Sequence, residues 1–200
     1  MRNGRVCDGA LFYGDAIVFI EIKGKQFDLQ ARIGNRESLD KKFNDILVDG
    51  AKQLSETIQA FRSGALVIPG VKQMYVQTIF PVLILLEHLV INPVTYERVT
   101  GELRRDGILT GVDTSALQVF NIAETRMKNS LFGFLPILKE KVATDQWRGA
   151  SLKNYLIDRF PGFFAKNHSR YLRKVFDARA ALADQIVKSR VGPSGQPPSL

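Results

Sequence analysis

Apolar positions cluster into two short stretches near the start of the chain, residues 9–13 and 16–23. Gly14-Asp15 separates them, and a glycine at the first central position suits a two-residue hairpin turn. The pattern therefore predicts two antiparallel strands in which Tyr13 faces Ala16 and pairing continues outward from the turn.

This register places Asp8 directly opposite Glu21, with Lys23 on the same face of its strand. Directly opposed like charges destabilise a sheet, so two facing carboxylates need a proton, a cation or a metal between them. Mg²⁺ is commonly held by one or two carboxylates, and a neighbouring lysine would act as a point charge on substrate or water. The ordinary alternative is a solvated strand face, because the E-x-K spacing alone is a weak motif.

The pattern beyond residue 23 alternates strand-like and helix-like segments. A helix is predicted over residues 39–61, capped by Ser38, and Gly50 inside it suggests a close approach to the sheet. A buried strand follows over residues 82–86, entered at Pro81, within a segment 72–86 predicted to form one long strand or two strands broken around Pro81. Further predictions are a strand over 24–33, a helix starting at Asn92-Pro93, a strand over 117–122, helices over 124–132, 152–160 (capped by Ser151) and 167–189, and a disordered tail over 191–200.

Asp8 on one strand, Glu21-Ile22-Lys23 on the next and a long helix after them resemble the PD-(D/E)XK nuclease superfamily. The resemblance implies that Asp8, Glu21 and the Ile22 carbonyl hold Mg²⁺ or Mn²⁺ and that Lys23 assists the attacking water. It also implies a polar residue on the following helix, for which Gln53 is the candidate. Cys7 stands where the superfamily name has proline.

The resemblance implies an α/β fold, a restriction-endonuclease-like mixed sheet flanked by helices, with a helical C-terminal region. We expect one domain over residues 1–190, with its core at about 5–90 and an extension at about 91–190. The superfamily core usually has a helix and a strand before the aspartate. Only seven residues precede Asp8 here, so we expect those elements to lie outside this sequence, to be replaced by later helices, or to come from a homodimer or a partner chain.

Gln53 has two interpretations. It lies beside the apolar stripe of the predicted helix, where a polar side chain needs a partner. Hydrogen bonding at the edge of the core is the ordinary interpretation, and service in the active site is the functional one.

The composition adds a charge argument. The 200 residues have a formal net charge of +8 and a pI near 9.7, which favours a polyanionic partner such as DNA but also serves plain solubility. The single cysteine, Cys7, excludes an internal disulfide and suits a reducing, cytoplasmic setting. We expect it to be a buried strand residue rather than a nucleophile. The most apolar segment, residues 79–91, is too short to span a membrane.

Three functions follow as alternatives. The first is a nuclease that hydrolyses phosphodiester bonds, with DNA a better substrate than RNA. The second is an inactive nuclease-fold module for nucleic-acid binding or protein assembly. The third is an unrelated α/β protein with an accidental E-x-K, which would follow if Asp8 and Glu21 lay on opposite faces.

Overall fold

One mixed β-sheet organises the protein. The computed structural model describes residues 6–24, 35–86, 93–121 and 134–162. Within these ranges the sheet has the order β1-β2-β3-β4, with β1 antiparallel to β2 and the other neighbours parallel. The strands are β1 (Gly9–Phe12), β2 (Ala16–Lys23), β3 (Thr78–Leu85) and β4 (Gln118–Asn121). The predicted α/β class with a mixed, helix-flanked sheet is confirmed.

Six α-helices surround the sheet in the described ranges. They are α1 (Arg36–Phe43), α2 (Asp49–Arg62), α3 (Pro93–Arg105), α4 (Phe134–Ala143), α5 (Asp145–Arg148) and α6 (Leu152–Arg159). None of the helices in the described part of the chain is long and apolar enough to cross a membrane. The predictions for residues 25–33, 124–132, 167–189 and the tail 191–200 lie outside the described residues.

The hairpin has the predicted register. Gly9 pairs with Ile20 and Phe12 with Ile17, and the Tyr13 amide donates to the Ala16 carbonyl at 2.9 Å. Gly14 has a φ of 77°, a conformation that glycine adopts without the penalty of a side chain. The ladder stops at Gly9, so Asp8 lies one residue beyond the paired strand.

The predicted long helix is present but is built in three parts. A π-helical turn, Asn44–Val48, joins α1 to α2, so the run is continuous without being α-helical throughout. The predicted cap at Ser38 is wrong: the Ser38 amide donates to Asn35 Oδ1 at 3.0 Å, which makes Asn35 the cap. Serine and asparagine are both good caps, and the bond from the third helical amide identifies the asparagine.

Of the two alternatives predicted for residues 72–86, the structure has one strand that runs through Pro81, and this strand begins at Thr78. Ile79 exchanges backbone hydrogen bonds with Asp113 and Ser115, so odd-numbered residues of β3 direct their amides towards the β4 side. Pro81 has the same orientation and lies before the β3–β4 ladder starts at Val82. Its missing N–H therefore costs no hydrogen bond between β2 and β3.

The sheet separates two apolar clusters. On one side, Ile17, Phe19 and Leu83 pack against α2 and α3. On the other side, Val18 and Val82 pack against α4 and α6. Because β2 and β3 are buried on both faces, their sequences are nearly continuous apolar runs, and polar residues within them need a specific explanation.

Candidate active site at the end of β2

Glu21 and Lys23 are the polar residues that end β2. Alternation along the strand puts them on the face of Phe19, which is covered by α2. Gly50 allows this helix to come close, as the sequence suggested. A Cβ at Gly50 would lie 2.7 Å from Leu83 Cδ1 and 3.4 Å from Lys23 Cε.

Glu21, Lys23 and Gln53 form one hydrogen-bonded group. Lys23 Nζ lies 2.8 Å from Glu21 Oε1 and donates to Gln53 Oε1 at 3.2 Å. The amide nitrogen of Gln53 in turn donates to the Val6 carbonyl at 3.2 Å. Of the three N–H donors of Lys23, these two partners account for two, so within the described residues one remains for substrate or water.

Glu21 is buried and incompletely satisfied. It is 3% exposed, and its Oε2 is a buried oxygen without a hydrogen-bond partner among the described residues. Removing a carboxylate from water costs several kcal/mol unless charges and hydrogen bonds compensate. Among the described residues Lys23 compensates at Oε1, and Oε2 is left buried without a partner.

Asp8 lies beside this group on the edge of β2. Asp8 Oδ2 accepts a hydrogen bond from the Ile22 amide at 2.7 Å, where the β1 ladder has already ended. A strand residue directs its N–H and C=O to the same edge, so the Ile22 carbonyl points to the edge that Asp8 occupies. The structure therefore unites Glu21, Lys23 and Gln53 and places Asp8 on the adjoining peptide.

The donors at this corner suit a hard divalent cation. Within the described part of the chain, no three histidine, cysteine, aspartate or glutamate side chains come together. The candidate ligands are two carboxylates and one carbonyl, all oxygen, which is the partial set that Mg²⁺ commonly takes, with waters and substrate phosphate completing its shell. The unsatisfied Glu21 Oε2 is the observation that fits this set to a metal.

Thr57 belongs to the same region and was missed by the sequence analysis. Its hydroxyl accepts a hydrogen bond from the Cys7 amide and donates to the Gln53 carbonyl, both at 2.9 Å. Its position four residues after Gln53, on the same helix face, is the signal that could have identified it. Cys7 donates its Sγ–H to the Gly9 carbonyl, and burial raises the pKa of its thiol.

A second buried polar cluster lies on the opposite face of the sheet. Lys141 of α4 is 1% exposed, and its Nζ donates to Gln118 Oε1 at 2.7 Å and to the Arg148 carbonyl at 3.1 Å. The Lys141 ammonium also lies 6.0 Å from the centre of the Phe120 ring. No sequence signal marks this lysine, because lysine is almost always exposed.

The net positive charge of the chain comes from residues outside the described ranges. Acidic and basic side chains are equal in number within the described ranges, so the whole excess of +8 comes from the other residues. Residues 163–200 contribute most of it, including Arg170, Arg173 and Lys174.

Comparisons of the chain with protein-family models, with curated proteins and with solved structures each found no match.

Proposed function

We propose that the protein is a metal-dependent nuclease that hydrolyses phosphodiester bonds, with a restriction-endonuclease-like fold. The observation that carries the proposal is Glu21, a buried carboxylate with one oxygen paired to Lys23 and the other unsatisfied. Such a group is costly in a site that is complete without a ligand. It is accounted for in a site that receives a cation.

Asp8, Glu21 and the Ile22 carbonyl would hold Mg²⁺ or Mn²⁺. When bound, the metal supplies a Lewis acid that stabilises charge on the phosphoryl group and lowers the pKa of water. Glu21 offers Oε2, and Asp8 offers the oxygen that does not bind the Ile22 amide. Both residues are held by backbone or side-chain contacts before the ion arrives.

Lys23 orients the attacking water. The Lys23 ammonium contacts Glu21, and it acts as a donor to the water or to a phosphate oxygen. Gln53 fixes the ammonium from the other side. In the reaction the water oxygen forms a bond to phosphorus, the bond to the leaving ester oxygen breaks, and the leaving oxygen gains a proton.

DNA is the polymer we propose, with the cytoplasm as the location. The described fold carries balanced charge, so non-specific attraction to phosphates would come from the residues that carry the +8 excess.

The test is cleavage of labelled single- and double-stranded DNA and RNA with Mg²⁺, Mn²⁺ or EDTA. Wild type is compared with Glu21→Gln, Lys23→Met and the control Glu140→Gln. Glu140 is paired with Arg159 at 2.6 Å, outside the proposed site. Cleavage that needs metal, is at least about 100-fold slower in both site variants and is unchanged in the control supports the proposal.

Salt-sensitive binding without cleavage under any metal would instead favour the inactive nucleic-acid-binding module. That outcome has a structural basis, since Lys23 already neutralises much of the charge on Glu21. Absence of both binding and cleavage would refute the nuclease proposal.

A further inference from the structure

Asp8 is held in place by a segment that has left the sheet. The β1–β2 ladder ends at the pair Gly9–Ile20, and Asp8 is exposed. A residue one position beyond a ladder is free to splay away from its neighbour unless other contacts hold it. Strand pairing therefore does not explain why the Asp8 carboxylate stays within hydrogen-bond distance of the Ile22 amide.

Helix α2 supplies the missing contacts. Gln53 donates to the Val6 carbonyl, and Thr57 accepts from the Cys7 amide, so two helix residues one turn apart hold two consecutive residues of the segment. The Cys7 thiol bonds forward to the Gly9 carbonyl. The chain is thus fixed on both sides of Asp8.

Thr57 is the better-defined of the two helix contacts. The side chain is 1% exposed, and both functions of its hydroxyl are used: the oxygen accepts from Cys7 and the hydrogen goes to the Gln53 carbonyl. The bond to Gln53 leaves the oxygen lone pairs facing the incoming segment. Gln53, by contrast, divides its amide between Val6 and Lys23.

We propose that Thr57 is a positioning residue for Asp8: its hydroxyl clamps the Cys7 amide so that the Asp8 carboxylate stays on the Ile22 amide at the metal corner. The proposal rests on the proposed function for its metal consequence. Its geometric content, the position of Asp8, is independent of that function.

The test uses hydrogen exchange on the full-length, metal-free protein. Thr57→Val keeps the shape and removes the hydroxyl, whereas Thr57→Ser keeps the hydroxyl. Thr100→Val is the matched control, because Thr100 is a buried helical threonine that donates to the carbonyl of Tyr96, four residues earlier, at 2.9 Å. The Val82 amide in the centre of the sheet reports global unfolding.

We expect the Ile22 amide to exchange about tenfold faster in Thr57→Val, while Val82 is unchanged. Thr57→Ser and Thr100→Val should resemble wild type. Unchanged Ile22 exchange in Thr57→Val would overturn the proposal, and so would equal acceleration in the valine and serine variants, since the hydroxyl would then not be the agent.

The second readout is the Kd for Mn²⁺ by titration calorimetry. We expect about tenfold weaker binding in Thr57→Val alone, the loss that one hydrogen bond can account for. Wild type that binds no Mn²⁺ but shows the expected Ile22 pattern would refute the metal site and leave the positioning role in place. Equal Mn²⁺ affinity in wild type and Thr57→Val would refute the metal consequence of the clamp.

Discussion

Two lysines, the buried Lys141 and the half-buried Lys23, lie on opposite faces of the sheet and make different contacts. Lys141 donates to two neutral oxygens, the side-chain amide oxygen of Gln118 and the Arg148 carbonyl. The side-chain amide nitrogen of Gln118 in turn donates to the Ala116 and Leu117 carbonyls. Lys23 instead meets a carboxylate with a second oxygen that has no partner among the described residues.

The chemical nature of the acceptors distinguishes a structural lysine from a candidate functional one more clearly than the burial of the lysine does. Hydrogen bonds from Lys141 to neutral oxygens tie β4 to α4 and α5. A charged pair with an open oxygen gains stability when another cation arrives. A lysine inside the fold is therefore informative chiefly through the state of its acceptor, and the acceptor of Lys23, Glu21, is the residue on which the proposed function rests.

The largest effect is expected for Lys23→Met. The substitution removes the ammonium group that pairs with the buried Glu21 carboxylate. We therefore expect the free energy of unfolding at neutral pH to fall by about 3 kcal/mol. The double variant Glu21→Gln/Lys23→Met removes both charges and should recover most of the loss. Urea denaturation measures both. Equal stability of the single variant and wild type would mean that the ion pair is unimportant in solution.

Lys141→Met should lower the free energy of unfolding by about 2 kcal/mol, because Gln118 Oε1 and the Arg148 carbonyl lose a buried hydrogen-bond donor. Addition of Mn²⁺ should restore stability to Lys23→Met but not to Lys141→Met. The control is Lys139→Met, two residues away on α4 in an exposed pair with Asp15, with an expected change below about 0.5 kcal/mol. Recovery of both variants by metal would remove the distinction between the clusters.

Gly50→Ala tests the close approach that brings α2 to Lys23. Alanine favours the helix by about 1 kcal/mol, but its Cβ would meet the fully buried Leu83 side chain at 2.7 Å. We expect a net loss of about 1 kcal/mol and weaker Mn²⁺ binding. Gly101→Ala is the matched control, because nothing lies within 4 Å of a Cβ at that helical position. It should raise the melting temperature, and a rise for both variants would contradict the contact.

The smallest effect concerns Cys7. Burial raises the pKa of its thiol, so the folded state holds the proton more tightly than the unfolded state does. Stability should therefore fall as pH rises past the ordinary thiol pKa. Urea denaturation at pH 7 and pH 10 should show a larger decrease for wild type than for Cys7→Ser. The same decrease in both proteins would show that the thiol does not contribute.

The hairpin, the register and the approach at Gly50 could be predicted because each depends on neighbours in sequence or on a single missing side chain. The position of Asp8 could be predicted only in part, since pairing ends at Gly9 and a contact from Thr57 takes over. Strand alternation carries no information about which helix will reach that segment.

Tertiary context decided the features that were missed. The π-helical turn contains the consecutive buried residues Ile46 and Leu47. The apolar spacing of an α-helix does not reveal where such a turn replaces α-helical hydrogen bonding. Pro81 suggested a strand boundary, yet β3 continues through it because the Pro81 nitrogen faces the β4 side at a point before the β3–β4 ladder starts. Lys141 gave no signal, because its burial depends on acceptors brought by β4 and α5.

The connection between β2 and β3 has a consequence for how the site is assembled in time. Glu21 lies in a hairpin and Asp8 lies one residue beyond its ladder, and hairpins form within about 1–10 μs. The parallel pairing of β2 with β3 requires closure of the long segment from Lys23 to Thr78, which contains α2. Non-local closure slows folding. The carboxylates are thus available to a cation on the nascent hairpin, whereas Gln53 and Thr57 arrive only when the crossover docks.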